Sequence, residues 1–310
     1  MKKIGYSQKQ GKIINSLLKR LFTREVCVYL SLLIVLMLLG WYFFGAKILL
    51  TLVAFFAASI ANATAIGGGF LFMPLFIFVY QLVPLAALKL SIATQAFGMS
   101  SGALTWGRQY IDKRAFILAS MASVLGVWFA TYWWVLPTTM IKPLFAVISF
   151  AVFIALVIEM RLREDNEQNK ATFLFNNVSL FFVIAAFFGG LMTGWTAIGV
   201  GEVVALYLLF FYRLRLDVAI GTGVAVLAVS SIAGFIFHIG LGDVPYELLL
   251  FTVPGVILGG RYGVKIAKSL DAKASQFGGE ARLKKSPLKL FFAAVILIDC
   301  MVILISELAS

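Results

Sequence analysis

The sequence predicts an all-α polytopic membrane protein with two inverted-topology repeats. Each repeat is a glycine-broken or re-entrant helix followed by three transmembrane helices, and one extra transmembrane helix precedes them. Three observations predict this. Of 310 residues, 62% are hydrophobic and 13% charged, and mean hydropathy is +0.99, a balance foreign to water-soluble chains of this size. The apolar runs are continuous rather than alternating, the pattern of helices and not of a membrane barrel. Finally, Thr64-Ala65-Ile66-Gly67-Gly68-Gly69 returns 132 residues later as Thr196-Ala197-Ile198-Gly199-Val200-Gly201, each copy inside a long apolar stretch.

Taken in order, residues 1–25 form a basic leader, read as cytoplasmic, and 26–44 an anchor helix retained because no small-x-small cleavage site follows. The first repeat, 45–160, opens with the 35-residue apolar stretch 46–80. As helix this would run about 52 Å, against a hydrocarbon core of about 30 Å. The part beyond the glycines, Phe70 to Tyr80, would reach only about 16 Å, too short to cross. A break at the glycines resolves both lengths. Single crossings follow at 85–107, 115–135 and 143–160. A polar cytoplasmic linker, 161–177, leads to the second repeat, 178–307, with its own 35-residue stretch at 178–212 and crossings at 217–239, 246–267 and 288–306.

Charge sets the expected orientation. If each long stretch returns to the side it came from, the inside segments hold 23 of the 26 Lys and Arg residues, leaving Lys47, Lys89 and Lys142 outside. The repeats then enter from opposite faces, with the N-terminus cytoplasmic and the C-terminus outside. The net charge of +12 is therefore topological, and no nucleic-acid partner is expected. Cys27 and Cys300 lie in apolar segments as small core residues, and a single histidine, His238, excludes a His-rich metal cluster. No cofactor or metal is expected. The partners are the lipid bilayer and a small inorganic or organic anion; the oligomeric state is left open.

The anion follows from helix ends. Where a helix restarts inside hydrocarbon, its first N–H groups lack intrahelical partners and the positive end of its dipole is bare. An anion suits both, and glycine lets a ligand approach the backbone. The competing reading of Gly67, Gly68, Gly69, Gly199 and Gly201 is close helix crossing. Thr64, Ser91, Gln95, Thr196 and Thr222 are candidate polar ligands near the breaks; such residues also serve as interhelical glue. Glu202 follows the second string, and Asp299 lies within the last apolar run. A carboxylate at such depth is costly unless paired or protonated, so both are proton-coupling candidates; helix capping is the alternative for Glu202. The equivalent of Glu202 in the first repeat is Phe70. Lys89 reads as snorkelling to the outer interface, with attraction of an anion as the alternative, His238 as structural, and Gly255-x3-Gly259-x3-Gly263 as a packing face.

The run Ala65-Ile66-Gly67-Gly68-Gly69-Phe70-Leu71, with Pro74-Leu75 and Ser101-Gly102-Ala103, resembles the first half of the TauE/SafE sulfite-exporter-like permeases. Gly189 to Gly201 and Gly221-Thr222-Gly223-Val224 resemble their second half. The resemblance covers about residues 45–306. It implies a bacterial-type inner-membrane permease that exports small sulfur-containing anions such as sulfite or organosulfonates, with Gly67, Gly68, Gly69, Gly199 and Gly201 as site positions. The sequence departs from the family pattern at Lys89-Leu90, where a Gly-Thr pair is usual, at Glu202, and in its leader and anchor helix.

The leading expectation is thus a secondary transporter working by alternating access with proton coupling. An anion channel of the same architecture is the alternative. An intramembrane hydrolase is a third reading, because Gly98-Met99-Ser100-Ser101-Gly102 matches G-x-S-x-G, but that string needs a strand–turn–helix setting and a nearby histidine.

Overall fold

The computed structural model describes residues 48–137 and 179–274, apart from Arg213 and Asp243, with single positions inside 28–38 and 139–154. The leader, the linker, the last apolar run with Asp299, and both cysteines lie outside the described residues. Eight α-helices and no strand occur among them: α1 Leu49–Thr64, α2 Gly69–Pro74, α3 Pro84–Trp106, α4 Lys113–Tyr132, α5 Leu180–Thr196, α6 Val200–Phe210, α7 Leu216–Ile239 and α8 Tyr246–Ala274. The helices α4, α7 and, over Tyr246–Ser269, α8 are long and apolar enough to cross a membrane.

Local chemistry explains the boundaries. Pro84 opens α3 at a position where a missing N–H costs nothing. The Asp112 carboxylate accepts from the Arg114 and Ala115 N–H groups and so caps α4. Pro74 ends the regular part of α2, and the chain continues as one π-helical segment, Leu75–Val79. At both glycine strings the preceding helix stops on a left-handed residue, and in both it is alanine: Ala65 at φ 64° and Ala197 at φ 60°. A non-glycine residue held there costs on the order of 1–2 kcal/mol, so the surrounding packing must over-determine the break.

Helix bounds in the second half follow those in the first at nearly the 132-residue offset, and the packing is reciprocal. Helix α1 lies along α8, as α5 lies along α4; α3 meets α8 as α7 meets α4; α3 and α7 pack together at the centre, flanked by α2 and α6. A two-fold relation produces this kind of exchange. The glycine stripe on α8 is the packing face expected of it. A Cβ at Gly255, Gly259 or Gly263 would strike the carbonyl oxygens of Thr51, Phe55 and Ser59 on α1. Gly126 and Gly190 bring α4 and α5 together likewise, against the carbonyls of Phe187 and Ser123. On the far side of α4, Ile117, Met121, Leu125 and Trp128 form an exposed apolar stripe, suited to lipid.

Candidate functional site

The two breaks cross. Gly69 lies against the carbonyl of Ala197, and Gly201 against the carbonyl of Ala65, so close that a Cβ on either glycine would meet the opposing oxygen. These contacts map onto each other through the repeat. Close crossing is therefore the role the backbone gives Gly69 and Gly201.

Four of the N–H groups at the breaks are taken by the protein's own side chains. Glu202, 3% exposed, accepts from the Gly67 N–H through Oε1 at 2.6 Å and from the Gly199 N–H through Oε2 at 3.1 Å. One carboxylate thus caps its own helix, α6, and bridges to the other break. Gln95 on α3 accepts from the Gly69 N–H at 3.1 Å and donates to Ser231 Oγ on α7 at 2.8 Å. Thr193 Oγ1 accepts from the Val200 N–H at 3.1 Å. Gly199 itself sits at φ 132°, ψ −55°, a conformation open essentially to glycine.

The sequence candidates therefore separate. Gly67, Gly69, Gly199, Gly201, Gln95 and Glu202 come together at the crossing. Gly68 lies in the same turn, but a Cβ there would crowd the Phe72 ring, with Gln95 Oε1 at ordinary contact distance, rather than an opposing backbone. The hydroxyls of Thr64 and Thr196 donate back to the carbonyls of Ile60 and Met192 in their own helices. Ser91 is buried, and its hydroxyl has no hydrogen-bond partner among the described residues. Thr222 is not brought to the crossing by its side chain: it accepts from the Asp112 N–H at the start of α4 and donates to Val218. Ser100 lies within α3, bonded to the Ala96 carbonyl, with none of the surroundings of a nucleophile. Thr193 and Asn62 were not among the candidates. Asn62 is a carboxamide in an apolar helix, a visible signal; its amide donates to the carbonyls of Ala58 and Gly98, and its main-chain carbonyl accepts from the Trp106 indole. Among the described residues no group of His, Cys, Asp or Glu could hold a metal ion.

A bundle of apolar helices whose interrupted members meet in a polar crossing of backbone N–H groups, amide and carboxylate defines a helical membrane permease rather than an enzyme. The comparisons with known proteins agree. The family model described as sulfite exporter TauE/SafE matches residues 50–278, and the chain belongs to that family. It is 20% identical over 249 residues, 73% of this chain and 90% of the relative, to the Bacillus subtilis (strain 168) protein named "Probable membrane transporter protein YunE". It is 27% identical over 116 residues, 36% of this chain and 44% of the relative, to "Probable membrane transporter protein YjnA" of the same strain. No solved structure matches.

Proposed function

We propose that this permease is a secondary transporter that exports small sulfur-containing anions, such as sulfite or organosulfonates, across a bacterial-type inner membrane by alternating access. The two halves are taken as inverted repeats, a reading that rests on the sequence charge asymmetry together with the reciprocal packing. The observation that carries the proposal is the double hydrogen bond of Glu202 to Gly67 and Gly199. A carboxylate presents two oxygens on one carbon to N–H groups from two different breaks. A sulfite or sulfonate group presents two oxygens on one sulfur in the same manner. In this reading the cargo exchanges with the Glu202 carboxylate. Protonation of Glu202 removes the competing charge, frees both N–H groups for the cargo, and couples export to protons.

The test is flux in proteoliposomes under an imposed pH gradient, with sulfite and methanesulfonate as probe anions. The expected result is saturable flux that responds to the gradient. Glu202→Gln is expected to retain anion exchange between equal pools and to lose the response to the gradient. Absence of saturable flux for any small anion refutes the transporter reading. An unchanged gradient response in Glu202→Gln refutes the coupling role. Flux without saturation or counter-flow decides for the channel.

A further inference from the structure

The two ends of the bundle are built from equivalent positions but differ in content. At one end, Trp106 closes α3. It is 1% exposed, its indole N–H donates to the Asn62 carbonyl, and its ring lies edge-on to Tyr110 at 5.5 Å. Lys268 stands over the Tyr110 ring at 4.6 Å and donates to the carbonyls of Thr105 and Trp106. The repeat offset carries Asn62 to Gly194, Trp106 to His238 and Tyr110 to Gly242. All three become smaller. At that opposite end a cavity of about 400 Å³ opens, lined by Gly194 and His238 among others.

Among the described residues this cavity holds a cation and no carboxylate. Lys89, 2% exposed, lines it, where the other repeat has Gly221. Its ammonium donates to the carbonyls of Gly242 at 2.7 Å and Leu241 at 3.3 Å. It has no ion pair among the described residues. Among the described residues no acidic side chain lines the cavity. His238, 4% exposed, lines the cavity as well, and neither ring nitrogen has a hydrogen-bond partner among the described residues. A buried ammonium in low dielectric favours an anion beside it, and a partnerless buried imidazole favours a polar ligand. The cavity is also aligned with the crossing. His238 is two helical turns along α7 from Ser231, and Leu88, another lining residue, is two turns along α3 from Gln95, the residue that joins Ser231 to Gly69.

We infer that this cavity is a second anion-binding site, taking a small oxyanion between Lys89 and His238 before or after it reaches the crossed breaks. Binding at the cavity rests on its charge and shape and does not depend on what exchanges with Glu202; passage of the same anion to the crossing rests on the proposed function. An oxyanion could be a free solute or the phosphate of an anionic lipid, and the test separates the two.

The experiment uses the full chain carrying Cys27→Ser, Cys300→Ser and Val135→Cys, since Val135 lines the cavity and is exposed. Modification rates are compared for anionic and cationic methanethiosulfonate reagents of similar size. The site predicts an anionic preference of about tenfold, as expected near a focused positive potential, and protection by sulfate or methanesulfonate. Lys89→Gln is expected to abolish both effects, and Lys89→Arg to keep them. His238→Trp, which restores the bulk found in the other repeat, is expected to remove protection while leaving Lys89 in place, so a folding defect in Lys89→Gln does not decide the matter. Protection by phosphatidylglycerol in mixed micelles, but not by sulfate, identifies the oxyanion as a lipid headgroup. No charge preference and no protection by either overturns the inference, whatever the flux assay on Glu202→Gln shows.

Discussion

The crossing of the two breaks makes a demanding prediction about three neighbouring glycines. A Cβ added at Gly201 would lie 2.5 Å from the Ala65 carbonyl oxygen, and one at Gly69 would lie closer still to the Ala197 carbonyl. Ordinary contact begins near 3.4 Å, so each alanine asks for roughly 0.9 Å or more of separation between two backbones. Neither backbone can yield alone, because α1 is held along α8 and α5 along α4 by their own glycine contacts. Overpacking of this kind costs about 1–3 kcal/mol, and backbone against backbone belongs at the upper end. At Gly68 the obstacle is the Phe72 ring at 2.9 Å, a side chain that can turn aside. Gly68→Ala should cost about 1 kcal/mol or less. Moreover, Gly69→Ala and Gly201→Ala open the same crossing, so the second should cost less once the first is present. Thermal unfolding of the purified variants in one detergent, read as the monodisperse fraction, gives the order. The reasoning fails if Gly68→Ala is as damaging as the other two, or if the double variant loses the full sum.

Thr193→Val keeps shape but removes the acceptor for the Val200 N–H; an orphaned buried donor costs about 1–3 kcal/mol. Hydrogen exchange should then show earlier opening at the start of α6 while the α1–α8 pair stays protected. Gly259→Leu drives a large side chain into the Phe55 carbonyl and should prevent α1 from docking on α8, read as loss of monodisperse protein; an unchanged elution profile would contradict the packing face.

The two strings were legible because length and chemistry agree. Thirty-five apolar residues exceed one crossing, and glycine tells where the excess is absorbed. Glu202 was legible as a carboxylate in apolar sequence, but its partner Gly67 lies 135 residues away, a separation no local pattern encodes. Helix-end reasoning leaves free N–H groups, whereas Gln95, Thr193 and Glu202 fill four of them; the capping of Gly199 by Glu202 is local and was legible, while its bridge to Gly67 was not. Thr222 shows a different limit. Its neighbour Gly223 faces Gly201 across the crossing, and successive helical residues point about 100° apart, so the hydroxyl turns to Asp112 instead.

The asymmetry between Glu202 and Phe70 bears on direction. In a protein that alternates by exchanging the conformations of two repeats, identical polar sets would leave the two states nearly equal in energy. Here Glu202 corresponds to Phe70, Gln95 to Leu227 and Thr193 to Ala61, so each polar group of the crossing has an apolar counterpart in the other repeat. The bridge should nevertheless be rebuildable from the other side, because the 132-residue offset pairs Gly67 with Gly199. Glu202→Phe alone leaves both N–H groups without the carboxylate, and Phe70→Glu alone places two carboxylates at one crossing, each a loss of about 1–3 kcal/mol or more. Combined, the exchange restores one carboxylate and one ring, and the double variant should unfold at a higher temperature than either single. Its pH-gradient-driven flux should return with altered preference for direction. If the double variant is no more stable than the worse single, the crossing does not treat its halves as equivalent, and the reciprocal contacts of Gly69 and Gly201 describe packing without a shared polar site.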